Sequence, residues 1–474
     1  MPRPLIILHG YSDKPESAAK WRAILAAPER DYNVRDVHVG GYASLTNEVT
    51  IKDVAEAFDR ALQGYPDLTN DEPFDAIVHS TGMLVIRAWL TSYGLNRKIG
   101  EKRRSRLKRL IGLAPATFGS PMAHKGRSWI GALVKGRKSP GPDFLEAGDQ
   151  VLSALELGSK YTWDLAHRDL LENVYGPGES SPYAFVLIGT KPYADIRKVA
   201  NEPGTDGTVR WAGCGFNVRK IVLDLATDPL IPVSPDSVRT QAIQWHNANV
   251  PLAFIDGHDH GSIFTDPTRT PESTLVDAVL EALQVDGPKS YDAWSARFAA
   301  WSDESLPPTA KPAYQQFVTR VIDEREDPVG DYFLELRGRR QGAIEPIEAF
   351  EEDVHSWRED ESYRCFHVNL DALAGVADIE LHLSARSGTR MVRYSGCQSP
   401  GLQRASDGDD KGIWDAQIPV PLELTSSDGR KVKLFYPFTT TLLEIRLNRE
   451  PSFGKKGDVF WFEKAAVASP FAGV

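Results

Sequence analysis

Cysteine is scarce in this sequence. Only three cysteines occur among 474 residues, Cys214, Cys365 and Cys397, and no two of them form a C-x-x-C pair. The composition therefore indicates neither a disulfide scaffold nor a structural zinc site. Such sparse cysteine usage is typical of a protein in a reducing compartment.

Long apolar runs are also missing. No stretch of 18 consecutive apolar residues occurs, so the sequence predicts no membrane-spanning helix. The apolar run Leu5 to Leu8 near the N-terminus is too short for the core of a signal peptide. We therefore expect a protein that stays in the cytoplasm or is exported without a cleavable signal peptide.

Positive charge is in deficit as well. The chain has 55 basic and 65 acidic residues, a net charge of −10, which is unfavourable for general nucleic-acid binding. One basic segment stands out at residues 97–109, with eight basic residues and one acidic residue. It is either a solvated helix end, the more usual case, or a patch for anionic lipid or phosphate.

The first part of the chain alternates short apolar runs with helical patterns. At 41% apolar and 25% charged residues the chain is globular, and its length suits more than one domain. Apolar runs that alternate with helices are typical of a parallel sheet covered on both faces. These runs are Pro4–Leu8, Phe74–Val78, Leu110–Leu113, Tyr183–Ile188, Lys220–Leu225 and Leu252–Ile255. We assign residues 1–285 to this α/β domain.

The pattern changes after residue 285. Residues 302–312 read SDESLPPTAKP, which indicates a linker that we place at 286–312. From 313 to 474 the apolar residues alternate with a period of two, which predicts an all-β accessory domain of the sandwich type. Within it, Gln316–Ile322 and Asp331–Arg337 flank a turn-like segment and are expected to form a hairpin.

The segment around Ser80 carries the chemistry. A buried strand ends at Val78-His79, Ser80 follows in a tight turn, and an apolar helix begins at Gly82. A serine in such a turn is exposed at the carboxyl edge of the sheet and beside the free N–H groups of a helix N-terminus. The usual pattern is G-x-S-x-G, and here valine replaces the first glycine. A simple helix cap is the structural alternative.

A second turn follows the first strand. His9-Gly10-Tyr11-Ser-Asp can expose backbone N–H groups at the same sheet edge. Together with the residue after the nucleophile, it would form an oxyanion hole, with the amides of Tyr11 and Thr81 as donors.

A serine nucleophile also needs a base and an acid that orients the base. Asp206 follows the strand Tyr183–Ile188, and His260 follows the strand Leu252–Ile255. Each of them can therefore reach the sheet edge that carries Ser80. Two alternatives stay open, since Asp228 in ATDPLIPV could be the acid and His258 in DGHDH could be the base.

Five motifs in residues 1–285 resemble the α/β-hydrolase superfamily, and specifically its lipase and esterase branch. They are HGYSD, VHSTGM, LAPATFGSPMA, DGTVR and HDHGSI. The resemblance implies a doubly wound, mostly parallel sheet and a catalytic triad in the order Ser80, Asp206, His260. Residues of about 120–181 form an insertion with little strand character. Its apolar residues at helical spacing are either ordinary core or the face of a helical lid that lines an acyl pocket, and we expect the lid.

The sequence therefore predicts a serine carboxylic ester hydrolase that acts on a hydrophobic acyl ester or a lipid. No metal and no organic cofactor are expected. An acyltransferase or thioesterase with the same triad is one alternative, and a non-catalytic protein that binds a membrane or a partner is another. The aromatic segments 435–438 and 460–462 are either sandwich core or a peripheral lipid-docking surface. The sequence leaves the oligomeric state open.

Overall fold

The structure is a computed structural model of the full chain. It describes residues 2–10, 15–37, 48–69, 72–91, 97–123, 149–178, 181–193, 201–226, 239–245, 249–269, 274–305, 313–351, 354–376, 378–396, 411–420, 422–425, 429 and 431–463.

A six-stranded parallel sheet forms the centre of the first domain. Its strands lie in the order β2-β1-β3-β4-β5-β8, so the chain starts near the middle and winds outward in both directions. The strands β1 and β3–β5 carry near-continuous apolar runs because helices cover both faces of the sheet. The strands are β1 (Arg3–Leu8), β2 (Tyr32–Val37), β3 (Phe74–His79), β4 (Leu107–Leu113), β5 (Tyr183–Gly189) and β8 (Leu252–Ile255).

The helices follow the strands in alternation, as expected for an α/β fold. The helix after β3 is buried along its whole length, which is why it carries almost no polar residues. In chain order the helices are α1 (Ala19–Leu25), α2 (Ile51–Gln63), α3 (Gly82–Thr91), α4 (Arg97–Arg106), α5 (Asp149–Leu155), α6 (Lys160–Arg168), α7 (Trp211–Cys214), α8 (Ser262–Thr265), α9 (Thr274–Ala282), α10 (Pro288–Ser305) and α11 (Glu348–Glu351). No helix in the described part of the chain is long and apolar enough to cross a membrane.

The C-terminal domain contains two facing sheets. One has four antiparallel strands in the order β11-β10-β14-β16, and the other has the order β12-β13-β9-β19-β6-β7, with β15 paired to β19. Apolar residues of both sheets form one cluster between them, as expected for a β-sandwich. The strands are β6 (Val218–Asp224), β7 (Arg239–Trp245), β9 (Tyr314–Asp323), β10 (Tyr332–Arg340), β11 (Ala343–Pro346), β12 (Val354–Ser356), β13 (Tyr363–Asn369), β14 (Ile379–Arg386), β15 (Val392–Ser395), β16 (Ile413–Val420), β17 (Glu423–Thr425), β18 (Lys431–Lys433) and β19 (Thr440–Pro451).

The strand at Val218–Asp224 corrects the sequence-based assignment. We predicted a strand of the hydrolase sheet from the run Lys220–Leu225, but β6 pairs in parallel with β19 of the C-terminal part, from Thr440↔Val218 to Arg446↔Asp224. The apolar run of β6 is compatible with either sheet, because a strand in the hydrolase sheet and a strand at this place in the second sheet are both buried on both faces. The two halves of the chain therefore share one sheet.

Two further expectations for this region were wrong. The segment 288–305 is helix α10 and not linker, because Tyr291, Trp294 and Phe298 recur at helical spacing and are buried. The proposed hairpin also does not form, since β9 and β10 lie in opposite sheets. The remaining proline-rich residues 306–312 are outside the described part of the chain.

Three arginines of the basic segment 97–109 bind partners within the protein. Arg103 and Arg106 are buried: the first contacts Glu56 and the Trp89 carbonyl, and the second donates to the Leu68 carbonyl. Arg109 forms an ion pair with the buried Asp75. These guanidinium groups hold α4 and β4 in place, so they are not available as an anion-binding patch.

The insertion between β4 and β5 is helical in its described part. Its helices α5 and α6 bury Val151, Leu155, Trp163 and Leu165 in the main core of the first domain. A buried bidentate ion pair joins it to helix α3, with Arg87 Nε 2.7 Å from Asp169 Oδ2. Residues 124–148, where the rest of a lid would lie, are outside the description.

Candidate active site

Ser80 lies in a strained turn directly after β3. Its φ is +50°, in the left-handed region that a non-glycine residue rarely adopts. A Cβ at Gly82 would lie only 2.9 Å from the Leu8 carbonyl oxygen, so glycine is needed at the second position of the motif. Val78, at the first position, is fully buried and is paired with Gly112 of β4. The strained turn therefore forms with valine in place of the first glycine of G-x-S-x-G.

A continuous hydrogen-bonded chain runs from Ser80 through His260 to Asp206. His260 Nε2 lies 3.1 Å from Ser80 Oγ, and His260 Nδ1 lies 2.9 Å from Asp206 Oδ2. The backbone adds a further bond, since the His260 N–H donates to the Asp206 carbonyl at 3.1 Å. Three residues that are far apart in the sequence therefore meet at the carboxyl edge of the parallel sheet, in the geometry of a nucleophile, a base and an orienting acid.

Asp206 is fully buried and its two carboxylate oxygens have different partners. Oδ1 accepts the backbone N–H groups of Thr208 at 3.0 Å and Val209 at 2.9 Å, which leaves Oδ2 for His260. Gly207 allows this tight turn, since its φ is +97°. The carboxylate is thus fixed by its own loop and directed at the imidazole.

The predicted oxyanion donors are only half described. Thr81 is fully buried at the start of α3, next to Ser80. Tyr11 lies outside the described residues, so its amide stays a prediction.

Asp228 and His258 were the alternative acid and base, and the structure describes only His258. Asp228 lies outside the described residues. His258 is fully buried, and burial lowers its pKa. It is His260, and not His258, that bonds Ser80 and Asp206.

His79 has a contact that the sequence did not reveal. Its ring stacks on that of Phe264, with 4.6 Å between the ring centroids. Its Nε2 lies 3.0 Å from the backbone carbonyl of His260, to which it must donate. His79 therefore supports the loop that carries the base, and a histidine directly before the elbow serine was the available signal.

No metal site is evident in the described part of the chain. No group of three or more His, Cys, Asp or Glu side chains is arranged there to hold an ion.

Comparisons with known proteins place this geometry in a wider fold. No protein-family model and no curated protein matches the chain. Among solved structures, phospholipase PlaB from Legionella pneumophila superimposes with a TM-score of 0.72 at 22% identity, covering 98% of this chain and 97% of that chain. PlaB in complex with thio-NAD gives 0.70 at 21% identity, with 94% of each chain covered.

The likeness extends beyond the parallel sheet. The covered share includes the C-terminal β-sandwich as well as the parallel sheet. A mature lipase of Bacillus licheniformis, BlEst2, matches over 59% of this chain with a TM-score of 0.38 at 14% identity. This protein has the α/β-hydrolase fold, followed by a C-terminal β-domain.

Proposed function

We propose that this protein is a serine carboxylic ester hydrolase of lipase or phospholipase type. The observation that carries the proposal is the unbroken chain Ser80–His260–Asp206, with bonds of 3.1 and 2.9 Å, on a strained strand–turn–helix. A structural serine cap would need neither the histidine nor the buried carboxylate behind it.

The reaction follows from the roles of these groups. His260 Nε2 takes the hydroxyl proton of Ser80 as the oxygen attacks the acyl carbonyl, and then delivers it to the leaving alcohol. Asp206 holds the imidazole in the right tautomer and stabilises its charged form. The amide of Thr81, with that of Tyr11, would stabilise the oxyanion. Water then hydrolyses the acyl-enzyme, with His260 as base.

The fold likeness supports an acyl ester or lipid as the substrate. Over the whole chain, this likeness is to a phospholipase. The described helices of the insertion, α5 and α6, bury their apolar residues in the main core of the first domain, so the support for a lipid substrate comes from the fold likeness.

Contact with a lipid surface is part of the proposal. Phe460 and Phe462 near the C-terminus expose 57% and 88% of their surfaces, and Trp461 exposes 40%. The other aromatic segment belongs to the interior, since Phe435 packs on the sandwich core and Phe438 on the core of the first domain. The exposed rings are suited to insert among lipid head groups.

A matched pair of serine variants tests the proposal. Ser80→Ala should remove labelling by a fluorophosphonate probe and lower kcat by several orders of magnitude. Ser105→Ala, at an exposed site on α4, should keep both. The substrates are p-nitrophenyl esters of increasing chain length and phospholipid vesicles.

Three outcomes of this test distinguish the alternatives. If the protein is labelled but does not hydrolyse the oxygen esters, acyl transfer to added alcohols would favour an acyltransferase. Hydrolysis of thioesters in the same case would favour a thioesterase. Lack of any labelling of the wild-type protein would indicate a non-catalytic protein. Near-normal turnover by Ser80→Ala would show that another group is the nucleophile.

A second experiment tests the lipid contact. Phe460→Ser combined with Phe462→Ser should weaken sedimentation with vesicles while p-nitrophenyl butyrate is hydrolysed as before. Unchanged sedimentation would reject the docking role.

A further inference from the structure

The loop that carries Asp206 rests on the C-terminal sandwich. This acid loop, residues 201–214, has the proposed active site on one side and strands β9, β13 and β19 on the other. One face of these strands, including Val318, Cys365 and Leu442, belongs to the core of the first domain. The opposite face, including Phe317, Phe366 and Leu443, belongs to the core of the sandwich. The shared sheet therefore touches both cores, and the acid loop packs on its first face.

Arg210 is the first link between the acid loop and this sheet. Its side chain is only 1% exposed, and its Nη1 donates to Cys365 Sγ on β13 at 3.6 Å. Its Nη2 lies 3.4 Å from Glu202 Oε2 at the start of the loop. A buried guanidinium thus bridges the loop and the sheet, and it cannot be moved without disturbing both.

Gly204 is the second link. Its φ is +70°, and a Cβ there would lie 2.7 Å from the ring of Tyr314 on β9 and 2.9 Å from the ring of His367 on β13. These two rings stack on each other with centroids 4.4 Å apart. The loop backbone therefore lies directly on an aromatic platform of the C-terminal domain.

The end of the loop forms a third link. Thr440 Oγ1 of β19 donates to the Ala212 carbonyl at 3.0 Å. The side chain of Gln316 on β9 lies 3.0 Å from the position that a Cβ of Gly213 would take. The loop is thus held at its beginning, at its middle and at its end by strands that follow residue 313.

Hydrogen bonds within the acid loop connect these contacts to Asp206. Thr205 and Arg210 form an antiparallel bridge, and the Trp211 N–H donates to the Gly204 carbonyl at 2.9 Å. Asp206 lies inside this closed hairpin. A shift of Arg210 or Gly204 therefore shifts the carboxylate, whose distance to His260 is set by hydrogen-bond geometry.

We propose that the C-terminal sheet positions the triad acid, acting on Asp206 through Arg210 and Gly204. The proposal rests on the proposed hydrolase function. It makes Arg210 and Cys365 positioning residues, although neither contacts the reacting atoms. The accessory domain is then a working part of the active site and not an independent module.

The test uses full-length variants. Arg210→Met removes the guanidinium group and keeps a long side chain. Cys365→Val removes the sulfur atom that accepts from Arg210 and changes the side chain less. Arg219→Met is the matched control, since Arg219 is a buried arginine of β6 that bonds Thr441 Oγ1 of β19 at 2.8 Å. The assays are kcat and KM on p-nitrophenyl butyrate and the low-field proton resonance of the His260 Nδ1–Asp206 bond, with thermal unfolding as a check of folding.

Arg210→Met should lower kcat by roughly 10- to 100-fold, with KM within about twofold of wild type, as expected when a catalytic group is displaced. It should also broaden or remove the low-field resonance. Arg210→Lys, which keeps the charge beside Glu202, should recover part of both. Cys365→Val should act in the same direction with a smaller effect, while Arg219→Met should leave kcat and the resonance near wild type.

The proposal is overturned if the variants at Arg210 and Cys365, folded as judged by unfolding, keep wild-type kcat and resonance. It is equally overturned if Arg219→Met lowers kcat as much as Arg210→Met does. Failure of the hydrolase proposal looks different. In that case the wild-type protein hydrolyses no ester, yet the resonance still reports whether the sheet holds Asp206 against His260.

Discussion

The buried pair Arg87–Asp169 offers a sharp test of how the insertion is held. Both side chains are fully buried, and the bonds are bidentate: Nε–Oδ2 at 2.7 Å and Nη2–Oδ1 at 2.9 Å. Tyr175 also donates to Asp169, and Arg87 Nη1 donates to the Thr117 carbonyl. The pair joins the helix that follows Ser80 to the insertion, so its loss should affect both stability and activity.

Arg87→Met leaves the Asp169 carboxylate buried without its cation. Removing one partner of a buried pair costs about 3–5 kcal/mol of the free energy of unfolding. For a chain of this size, that corresponds to a fall of about 3–5 °C in Tm. Part of the cost should be recovered in the double variant Arg87→Met/Asp169→Leu, which has no unpaired charge, although Tyr175 then lacks its acceptor.

Urea denaturation and thermal unfolding of the full chain measure these effects. The control is Lys160→Met on α6, whose ion pair with Asp164 is about half exposed on both sides. An exposed pair at this spacing contributes about 0.3–0.5 kcal/mol, so Tm should hardly change. An Arg87→Met protein as stable as the control would refute the reasoning, because the pair would then contribute no more than a surface ion pair.

Three further predictions follow from the site and the shared sheet. Asp206→Asn should lower kcat by roughly 10³- to 10⁴-fold through the wrong histidine tautomer, whereas Asp228→Asn should be much milder; the reverse ranking would move the acid to Asp228. A chain ending at Leu306 should be insoluble, since it leaves β6 and the acid loop without their sheet; a soluble, fluorophosphonate-reactive fragment would contradict this. Burial lowers the pKa of His258 below its unfolded value, so its contribution to stability is present above about pH 6.5 and is lost as the pH falls. His258→Leu should accordingly make the free energy of unfolding less dependent on pH between 7.5 and 5.5, and an unchanged dependence would argue against this effect.

The sequence by itself determined five of the six strands of the first sheet and the residues at its carboxyl edge. Period and turn residues predict β3, the turn at Ser80 and helix α3, because those signals are local. Asp206 and His260 could be selected because parallel strands end at a common edge, so residues just after such strands come together. The structure brings these residues within hydrogen-bonding distance, and their catalytic role remains the proposal made above.

Tertiary structure alone decided where the apolar strands pair and how the two halves join. The run at β6 is equally compatible with the hydrolase sheet and with the second sheet, because both environments bury both faces. Its partner β19 lies more than 200 residues later, and no local pattern encodes such a pairing. The helix at 288–305 was assigned to a linker because a proline-rich segment follows it, although its aromatic residues have helical spacing.

The contacts of the acid loop were beyond sequence reasoning for the same reason. In the sequence, Arg210 is part of the local motif DGTVR, and Cys365 is an isolated cysteine. Only the fold shows that these two side chains meet, because their contact depends on the three-dimensional path of more than 150 intervening residues. Local propensity determined which residues form the proposed site, and long-range packing determined what holds them in position.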